Sequence, residues 1–303
     1  MLLTIGIPIF NGQKYIADAI EGIIKYNFDP NEVEILVCDN ASTDQTVELV
    51  KRYSEVKLFE HEENVGFDGN LHRIFTYAKG EYVWAIGADD LLIGDVLTLL
   101  QLLKNQRHFG AIFVGGCDKL DEEYEVFNNA ENFLLNSNFR SGFFPNNIIS
   151  KSLWMKCEIQ EFMNSGWIHY AVILQVLRLQ TSASTKEQYV IENPNANEIK
   201  SWNSNGSGLL IGVKLVEIFE IMSRWGYDKK FRTRLKRVIK DSYPRIIVVA
   251  KMRGFKISSS LLSDFVRLFG EYPSFWFLDL WALLIPSVVY KVIAKPLNWL
   301  KIL

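Results

Sequence analysis

Short apolar runs alternate with amphipathic segments over the first 115 residues, and this alternation constrains the fold more than any other feature of the 303-residue chain. The apolar spacing predicts strands at 2–8, 34–38, 56–60, 82–88 and 111–115, and helices at 12–26, 43–53, 70–78 and 95–105. Strands that alternate with helices indicate a parallel sheet with right-handed crossover connections. We therefore expect an α/β domain in this part of the chain.

The alternation breaks down at about residue 118, and turn-forming residues become frequent up to residue 166. A helix is expected at 167–179, and the Asn-, Ser- and Gly-rich stretch 192–208 is expected to form a loop. Helical spacing then returns at 209–225, 229–252 and 258–269. The sequence thus predicts an α/β body followed by a helical region that begins near residue 208.

Charge is distributed unevenly along the chain, although the net charge is only −2. Residues 1–223 hold 17 Lys and Arg against 30 Asp and Glu, whereas residues 224–303 hold 16 against 5. A basic region after an acidic body predicts an anionic partner, either a membrane surface or nucleic acid. The strongly apolar end of the chain favours the membrane surface, and we expect no binding of nucleic acid.

The apolar stretch 275–290 is the segment expected to contact a membrane. Its 16 residues are interrupted by Asp279 and Pro286, and a helix that spans a bilayer needs about 20 apolar residues, so a span is disfavoured. Short apolar helices flanked by Trp and Lys are typical of segments that lie in the membrane interface. Packing on the core of the protein, or on a second copy of the chain, is the alternative.

Composition and cysteine spacing exclude several classes of protein. With 49% hydrophobic and 22% charged residues, the chain is neither disordered nor of low complexity. Its three cysteines show no CxxC spacing, so neither a disulfide framework nor a zinc cluster is supported. The first residues lack the pattern of a signal peptide, and we expect a cytoplasmic protein.

Turn-forming and acidic residues follow three predicted strands, at 8–12, 39–44 and 87–90. Ligands of open parallel sheets bind at the carboxyl ends of the strands, so these segments are expected to form one crevice. Asp39 directly follows a buried strand, where its carboxylate can accept hydrogen bonds from a nucleobase or a ribose, or stabilise the turn. Ser42 and Gln45 match a capping box, which predicts Ser42 as the N-cap of the next helix.

Asp89 and Asp90 are adjacent carboxylates at the end of an apolar strand. Such carboxylates repel each other unless a cation lies between them. A Mg²⁺ or Mn²⁺ ion that is held by one or two carboxylates and by substrate phosphates removes this repulsion. A solvated turn that caps the next helix is the alternative.

Motifs of several other enzyme classes are absent from the sequence. No GxGxxG follows the first strand and no GxxxxGK[ST] occurs, which disfavours hydride transfer on a Rossmann fold and P-loop phosphoryl transfer. Neither HExxH nor GxSxG is present, and the four histidines are scattered.

Three segments resemble the inverting family 2 glycosyltransferases. They read IGIPIFNGQKYIADAIEGII, EILVCDNASTDQTVELV and ENVGFDGNLHRIFTYAKGEYVWAIGADDLL, and they cover about residues 2–115. The chain is most similar to bacterial transferases of O-antigen or capsule assembly, such as abequosyltransferases. The resemblance implies the GT-A nucleotide-diphospho-sugar transferase fold, a Rossmann-like mixed sheet, with a helical C-terminal extension. It implies a catalytic domain at 1–207, with a nucleotide-binding half at about 1–117 and an acceptor half at about 118–207, before a basic helical region at 208–303.

The resemblance also assigns roles to individual residues. It places the nucleotide and its diphosphate beside Pro8, Phe10, Asn11, Asp39, Asn64, Gly66 and Asn70, with Asp39 on the base. Asp89 matches the metal-ligating aspartate of the family's DXD motif, with Mn²⁺ or Mg²⁺ as the cofactor. Gly87 stands where the family has its first aspartate, so Asp90 is a candidate second ligand or sugar contact.

Inversion needs a general base that takes the proton of the acceptor hydroxyl. Many relatives place a carboxylate at the start of a helix in the acceptor half, where this sequence has His169. His169 is expected to be that base, an acceptor contact or a structural residue. Trp167 is expected to stack on a sugar or to join the core, and Trp202 is a lid candidate. Asn146 and Asn147 either reach the acceptor or form a turn.

The expected function is inverting transfer of a sugar from a nucleoside-diphosphate sugar, with UDP favoured, to a lipid-linked saccharide in bacterial surface polysaccharide assembly. We expect peripheral association with the inner face of the cytoplasmic membrane, and a homo-oligomer stays open. A sugar-nucleotide nucleotidyltransferase is one alternative, although residues 8–12 lack the Gly-rich basic loop of those enzymes. A non-catalytic nucleotide-binding interaction protein is another, in view of Gly87 and the missing carboxylate base.

Overall fold

The computed structural model describes residues 1–105, 108–196 and 206–294. The chain divides into two compact units, Met1–Asn197 and Glu198–Leu303, and each has a hydrophobic core of its own. Trp202 and most of the loop predicted at 192–208 lie outside the described residues.

The first unit contains a mixed sheet and a small second sheet. Its strands are β1 Leu3–Ile9, β2 Val33–Asp39, β3 Val56–Glu60, β4 Tyr82–Ala85, β5 Asp90–Leu92, β6 Ala111–Phe113, β7 Tyr124–Phe127, β8 Asn147–Ser150, β9 Ser182–Thr185 and β10 Val190–Glu192. Eight of them form one sheet in the order β3-β2-β1-β4-β8-β6-β9-β7, and β5 pairs with β10.

Helices connect these strands. They are α1 Ile16–Ile24, α2 Thr46–Val50, α3 Gly66–Tyr77, α4 Val96–Asn105, α5 Ala130–Asn136, α6 Lys151–Trp154 and α7 Ile168–Leu179. Short 3₁₀ turns lie at Arg140–Gly142, Phe144–Asn146 and Gln160–Phe162. The apolar faces of α1 and α4 share one core with the inner strands, as their helical spacing predicted.

The first four strands are parallel, which confirms the prediction from the alternation of strands and helices. β1 pairs with β2 on one side and with β4 on the other, and β2 pairs with β3. β1 is therefore a central strand, and apolar residues fill it because both of its faces are covered.

The alternation of strands and helices alone predicted a fully parallel sheet, and this prediction is wrong at β8. This strand lies antiparallel between β4 and β6. It holds only four residues, of which Ile148 and Ile149 are buried, and so short a run shows no period. The resulting sheet is the mixed sheet that the family resemblance implied.

Two element boundaries differ from the prediction and shape the site. β4 ends at Ala85 because the Gly87 amide donates to Asp90 Oδ2 at 2.7 Å and the Asp90 amide donates to the Gly87 carbonyl at 3.1 Å, which closes a turn. α3 begins at Gly66, four residues earlier than predicted, after a loop in which the Gly66 amide donates to Asn64 Oδ1 at 2.9 Å.

The second unit is helical, as predicted. Its helices are α8 Gly208–Ile221, α9 Lys229–Met252, α10 Ser259–Phe269, α11 Leu280–Leu284 and α12 Ser287–Ala294, with a π-helical turn at Phe275–Asp279 before α11. α9 has the predicted bounds, and the Asp228 side chain caps it by accepting from the Phe231 amide at 2.8 Å. None of the helices in the described part of the chain is long and apolar enough to cross a membrane.

Candidate functional site

The loops that follow β1 and β2 are joined by hydrogen bonds into one surface. The Asn11 amide donates to Ser42 Oγ at 2.8 Å, and the Thr43 amide donates to Asn11 Oδ1 at 2.8 Å. Asn11 has a φ of 51°, a left-handed conformation that Asn tolerates well. Pro8 is half-buried in β1, while the Phe10 side chain is 49% exposed.

The capping box predicted at Ser42 and Gln45 is wrong. Ser42 serves the loop of β1 instead, and α2 begins only at Thr46. Asp44 Oδ1 accepts from the Thr46 amide at 3.0 Å, and its Oδ2 accepts from the Gln13 amide at 3.2 Å. The carboxylate therefore joins the helix start to the β1 loop, which a purely local motif does not reveal.

Asp39 ends β2 and is buried. Its Oδ2 accepts from the Ser42 amide at 2.9 Å. Its Oδ1 is also buried and has no hydrogen-bond partner among the described residues. A buried acceptor of this kind is costly unless a ligand donates to it. The structure therefore leaves one carboxylate oxygen of Asp39 available for an N–H or O–H donor.

Asn64 and Gly66 lie beside the end of β2, where Asn40 holds them. Asn40 Nδ2 donates to Asn64 Oδ1 at 2.9 Å and to the Gly66 carbonyl at 3.3 Å. Its Oδ1 accepts from the Val65 amide at 2.9 Å. Gly66 has a φ of 74°, which favours glycine at this position. The loop before α3 is thus fixed against the Asp39 turn.

Asn70, which the resemblance placed beside the diphosphate, is buried, and all its polar side-chain atoms bond within the protein. Its Nδ2 donates to the carbonyls of Cys38 and Ile9 at 3.0 and 3.3 Å. Its Oδ1 accepts from His61 Nε2 at 3.2 Å. The observed contacts are those of a clamp on the ends of β1 and β2, and they bring in His61, which sequence reasoning missed because nothing local marks it.

Asp89 and Asp90 follow β4 in the turn that Gly87 begins. Asp89 Oδ1 and Asp90 Oδ2 lie 2.6 and 2.7 Å from the point that a Cβ atom on residue 87 would occupy. A side chain at this position would therefore have to displace one or both carboxylates from the positions that they occupy beside Gly87. Burial raises the pKa of Asp90 to about 6, and nearby Glu192 adds to the rise against the lowering effect of the Gly87 amide.

This turn lies next to the β1 loop and is fixed by the residues after β10. A Cβ atom on Gly12 would lie 3.7 Å from the Ala88 side chain. The Asn193 amide donates to the Asp89 carbonyl at 2.8 Å, while Asn193 Nδ2 donates to Asp18 Oδ2 at 3.1 Å. The ends of β1, β2 and β4 therefore form one surface, as the sequence predicted.

The donor set of Asp89 and Asp90 fits a hard divalent ion. Asp89 Oδ1 and Asp90 Oδ2 lie close together beside Gly87, and oxygen is the ligand that Mg²⁺ and Mn²⁺ prefer. No group of three or more His, Cys, Asp or Glu among the described residues is arranged to hold a metal by itself. An ion at this site would therefore need further ligands from water or from substrate phosphates.

The start of α7 carries Trp167 and His169 and is attached to α3 by Asp68. This buried carboxylate accepts from the Gly166 amide at 2.8 Å and from the Ile168 amide at 3.2 Å. It thereby caps α7 from a position about 100 residues earlier in the sequence, and no local signal predicts it.

His169 is buried, with 5% of its surface exposed. Its Nε2 lies 2.9 Å from the Gly142 carbonyl and must carry the proton, because a carbonyl only accepts. Nδ1 has no hydrogen-bond partner among the described residues. Burial lowers the pKa of His169 to about 4, against a smaller opposing effect of the Gly142 carbonyl. The imidazole is therefore neutral at pH 7.

Aromatic rings surround His169. The ring centroids of Trp167, Phe144 and Phe67 lie 5.6, 5.9 and 6.0 Å from that of the imidazole. Phe67 is 40% exposed, and Phe143, next to Phe144, is 48% exposed. This part of the first unit therefore presents aromatic surface next to the start of α7.

Asn146 and Asn147 bond within their own turn. Asn146 Nδ2 donates to the Arg140 carbonyl at 3.1 Å, and Asn147 Nδ2 donates to the Ser141 and Phe143 carbonyls at 2.9 and 3.0 Å. The sequence left open whether these two residues reach the acceptor or form a turn, and the observed contacts are those of a turn.

Comparison with known proteins agrees with this architecture. The family model described as glycosyl transferase family 2 matches residues 4–163, more than half of the chain. Solved structures under 25% identical to the chain show the same fold. The crystal structure of Staphylococcus aureus TarS 1–349 in complex with UDP-GlcNAc has a TM-score of 0.60 and 14% identity, covering 93% of this chain and 84% of that one. Mannosyltransferase PcManGT from Pyrobaculum calidifontis, in complex with GDP-Man and Mn²⁺, has a TM-score of 0.59 and 17% identity, covering 97% and 87%.

The fold is therefore GT-A, a mixed α/β sheet followed here by a helical region. By its sequence the chain belongs to glycosyl transferase family 2. It is 30% identical over 154 residues to abequosyltransferase RfbV of Salmonella typhimurium, covering 43% of this chain and 45% of that protein. It is 27% identical over 118 residues to the poly(ribitol-phosphate) beta-N-acetylglucosaminyltransferase TarS of Staphylococcus aureus, covering 38% and 21%. The chain thus matches less than half the length of these curated relatives.

Proposed function

We propose that this glycosyltransferase takes a sugar from a nucleoside-diphosphate sugar, preferably a UDP-sugar, and transfers it with inversion to a saccharide acceptor. The observation that carries the proposal is the pair of carboxylates, Asp89 and Asp90, whose oxygens lie close together beside Gly87 at the end of β4. The ends of β1 and β2 lie beside it, where Asp39 keeps a buried acceptor oxygen without a partner among the described residues.

Asp39 is the proposed contact of the nucleobase. Uracil has one ring N–H, at N3, and this donor satisfies Asp39 Oδ1. Pro8, Phe10 and Asn11 line the same side of the site, and Asn64 and Gly66 line the other. Asn70 keeps these strand ends in place through its bonds to the Ile9 and Cys38 carbonyls.

Asp89, together with Asp90, would hold the divalent ion, Mn²⁺ or Mg²⁺. Bound there, the ion supplies positive charge that stabilises the nucleoside diphosphate as it leaves. The chain's own part is to keep the carboxylates together, and the Gly87 amide does this by donating to Asp90 Oδ2 at 2.7 Å. Asp90 is the proposed second ligand or sugar contact.

The geometry supports His169 as a positioning residue more than as the general base. A general base works best when its pKa lies near the working pH, and burial lowers the pKa of His169 to about 4. Its Nε2–H fixes the Gly142 carbonyl at 2.9 Å and so orders the turn beside Trp167. Trp167 and the exposed rings of Phe67 and Phe143 then offer flat apolar surface to the acceptor sugar.

Two relatives support a role in surface polysaccharide assembly, since one is named an abequosyltransferase and the other a poly(ribitol-phosphate) beta-N-acetylglucosaminyltransferase. We accordingly propose a lipid-linked saccharide as the acceptor, at the inner face of the cytoplasmic membrane.

Calorimetric titration with UDP, CDP, GDP and dTDP, each with and without Mn²⁺, tests this function. We expect one nucleotide to bind in a metal-dependent manner and Asp89→Asn to abolish that dependence. Asp118→Asn is the matched control, because Asp118 is an exposed carboxylate outside the site. Absence of binding for all four nucleotides would refute the proposal. Metal-dependent binding without transfer from any sugar nucleotide would instead indicate a non-catalytic nucleotide-binding protein.

A further inference from the structure

Large apolar side chains are concentrated on one short stretch of the second unit. Twelve such side chains in the described part of the chain are at least 45% exposed, and six of them lie between residues 276 and 288. These six, which we call the apolar ridge, are Trp276, Phe277, Leu278, Trp281, Leu284 and Val288. A concentration of this kind marks an interaction surface, whereas single exposed apolar residues do not.

The ridge belongs to a segment whose opposite side is buried in the core of the second unit. Phe275, Ala282 and Leu283 are buried and pack in the cluster that contains Tyr243 and Phe269. The segment is therefore amphipathic, with its inner side chains fixed and its outer ones exposed.

Two buried lysines of α9 hold this segment at two places. Lys240 lies 3.2 Å from Asp279, and both residues are buried. Lys251 Nζ donates to the carbonyls of Ala282 and Leu283 at 3.2 and 2.6 Å, and also to that of Ile285. Buried lysines are costly unless they are paired in this way, so the contacts fix the segment against α9. The ridge is therefore held by specific contacts and is not a loosely packed chain end.

The part of the chain that carries the ridge is basic. Residues 224–303 hold 16 Lys and Arg against 5 Asp and Glu. Exposed apolar side chains that include tryptophan, on a basic unit, complement a lipid surface, in which anionic headgroups cover the apolar acyl chains.

We propose that the apolar ridge inserts into the interface of an anionic lipid bilayer, to which the net positive charge of residues 224–303 attracts it. The segment is too short to span a membrane, and its π-helical turn and α11 lie in the plane of the interface. Pro286 separates α11 from α12, so no single helix carries the whole apolar ridge. The inference rests on the proposed function, because it identifies the surface that would bring the protein to the membrane. Lipid binding is measured without nucleotide or sugar transfer, so the inference and the proposed function can fail separately.

Co-sedimentation of the full chain with lipid vesicles tests the inference. The vesicles contain phosphatidylcholine with or without phosphatidylglycerol, at low and high salt. We expect binding to the anionic vesicles, weaker at high salt, and a loss of about tenfold or more in apparent affinity for the double variant Phe277→Ser and Trp281→Ser. Leu97→Ser with Leu179→Ser is the matched control, because these side chains are 48% and 56% exposed on the first unit.

Circular dichroism establishes that the variants are folded, and Phe277→Leu with Trp281→Phe should restore binding. Vesicle binding that is unchanged in the serine variant overturns the inference. So does a wild type that ignores vesicles and forms an oligomer which the serine variant dissociates, because the ridge is then an interface between two copies of the chain. Equal binding to neutral and anionic vesicles overturns the role of the positive charge.

Discussion

Replacing Asp39 with asparagine tests the proposed contact with the nucleobase while changing a single atom type. The amide oxygen of the new side chain can still accept from the Ser42 amide, which lies 2.9 Å from Asp39 Oδ2, so the fold should be preserved. The amide nitrogen then takes the place of Oδ1, the buried atom that has no partner among the described residues. An acceptor becomes a donor, and it meets the N3–H donor of uracil.

The expected loss follows from the strength of one hydrogen bond to a charged group. Such a bond contributes about 1.5–3 kcal/mol, so the variant should bind UDP about 10- to 100-fold more weakly than the wild type. Calorimetric titration in the presence of Mn²⁺ measures this loss, with Asp118→Asn as the control for a carboxylate outside the site.

A modified nucleotide separates this contact from a general effect of the substitution. In 3-methyl-UDP the N3–H donor is absent, so the wild type should discriminate strongly against it, whereas Asp39→Asn should discriminate much less. An Asp39→Asn variant that binds UDP within about twofold of the wild type, or that keeps the full discrimination, would show that Asp39 only stabilises its own turn.

Three further substitutions have defined outcomes. Asp68→Asn leaves only one acceptor for the amides of Gly166 and Ile168, so urea unfolding should show a loss of about 1–3 kcal/mol, and an unchanged midpoint contradicts the cap. His169 has a pKa of about 4 in the folded chain and about 6.5 in the unfolded chain, so the unfolded chain binds a proton first as the pH falls. The contribution of His169 to the free energy of unfolding is therefore complete above pH 6.5 and decreases by about 3 kcal/mol as the pH falls to 4. Urea unfolding at pH 7 and 4.5 should show a smaller decrease for His169→Asn than for the wild type. The variant should also keep its donor turnover within about tenfold of the wild type, whereas loss of a general base would lower turnover by about 10²–10⁴-fold. Gly87→Ala places a Cβ atom 2.6 Å from Asp89 Oδ1, so Mn²⁺-dependent nucleotide binding should weaken, while Gly22→Ala, whose Cβ would lie 3.5 Å from Leu91, should bind normally.

Periodic elements of this chain were predictable because their signals are local. α9 has the predicted bounds of Lys229–Met252, since 24 residues give a clear helical period and Asp228 provides a cap. β8 was missed because its four residues carry no period, and its place in the sheet depends on pairing with β4 and β6. Strand pairing over such sequence distances is a tertiary property.

The candidate site shows the same division. Asp39, Asp89 and Asp90 could be proposed as site residues because acidic residues directly after apolar strands are visible in the sequence. The contacts of Ser42 and Asp68 were not predicted, because their partners are distant in the sequence. Ser42 bonds to a residue 31 positions away, and Asp68 bonds to residues about 100 positions away. His169 was selected for its chemistry, but its burial among aromatic rings depends on packing that the sequence does not show.

Release of nucleoside diphosphate from a panel of UDP-, GDP-, dTDP- and CDP-sugars tests the central claim most directly. We predict that the wild type, in Mn²⁺, turns over one of these donors, and that Asp89→Asn loses about 100-fold or more of this activity while Asp118→Asn keeps it. Turnover of no donor, or the same rate in Asp89→Asn as in the wild type, would contradict the assignment of the carboxylate pair to sugar transfer.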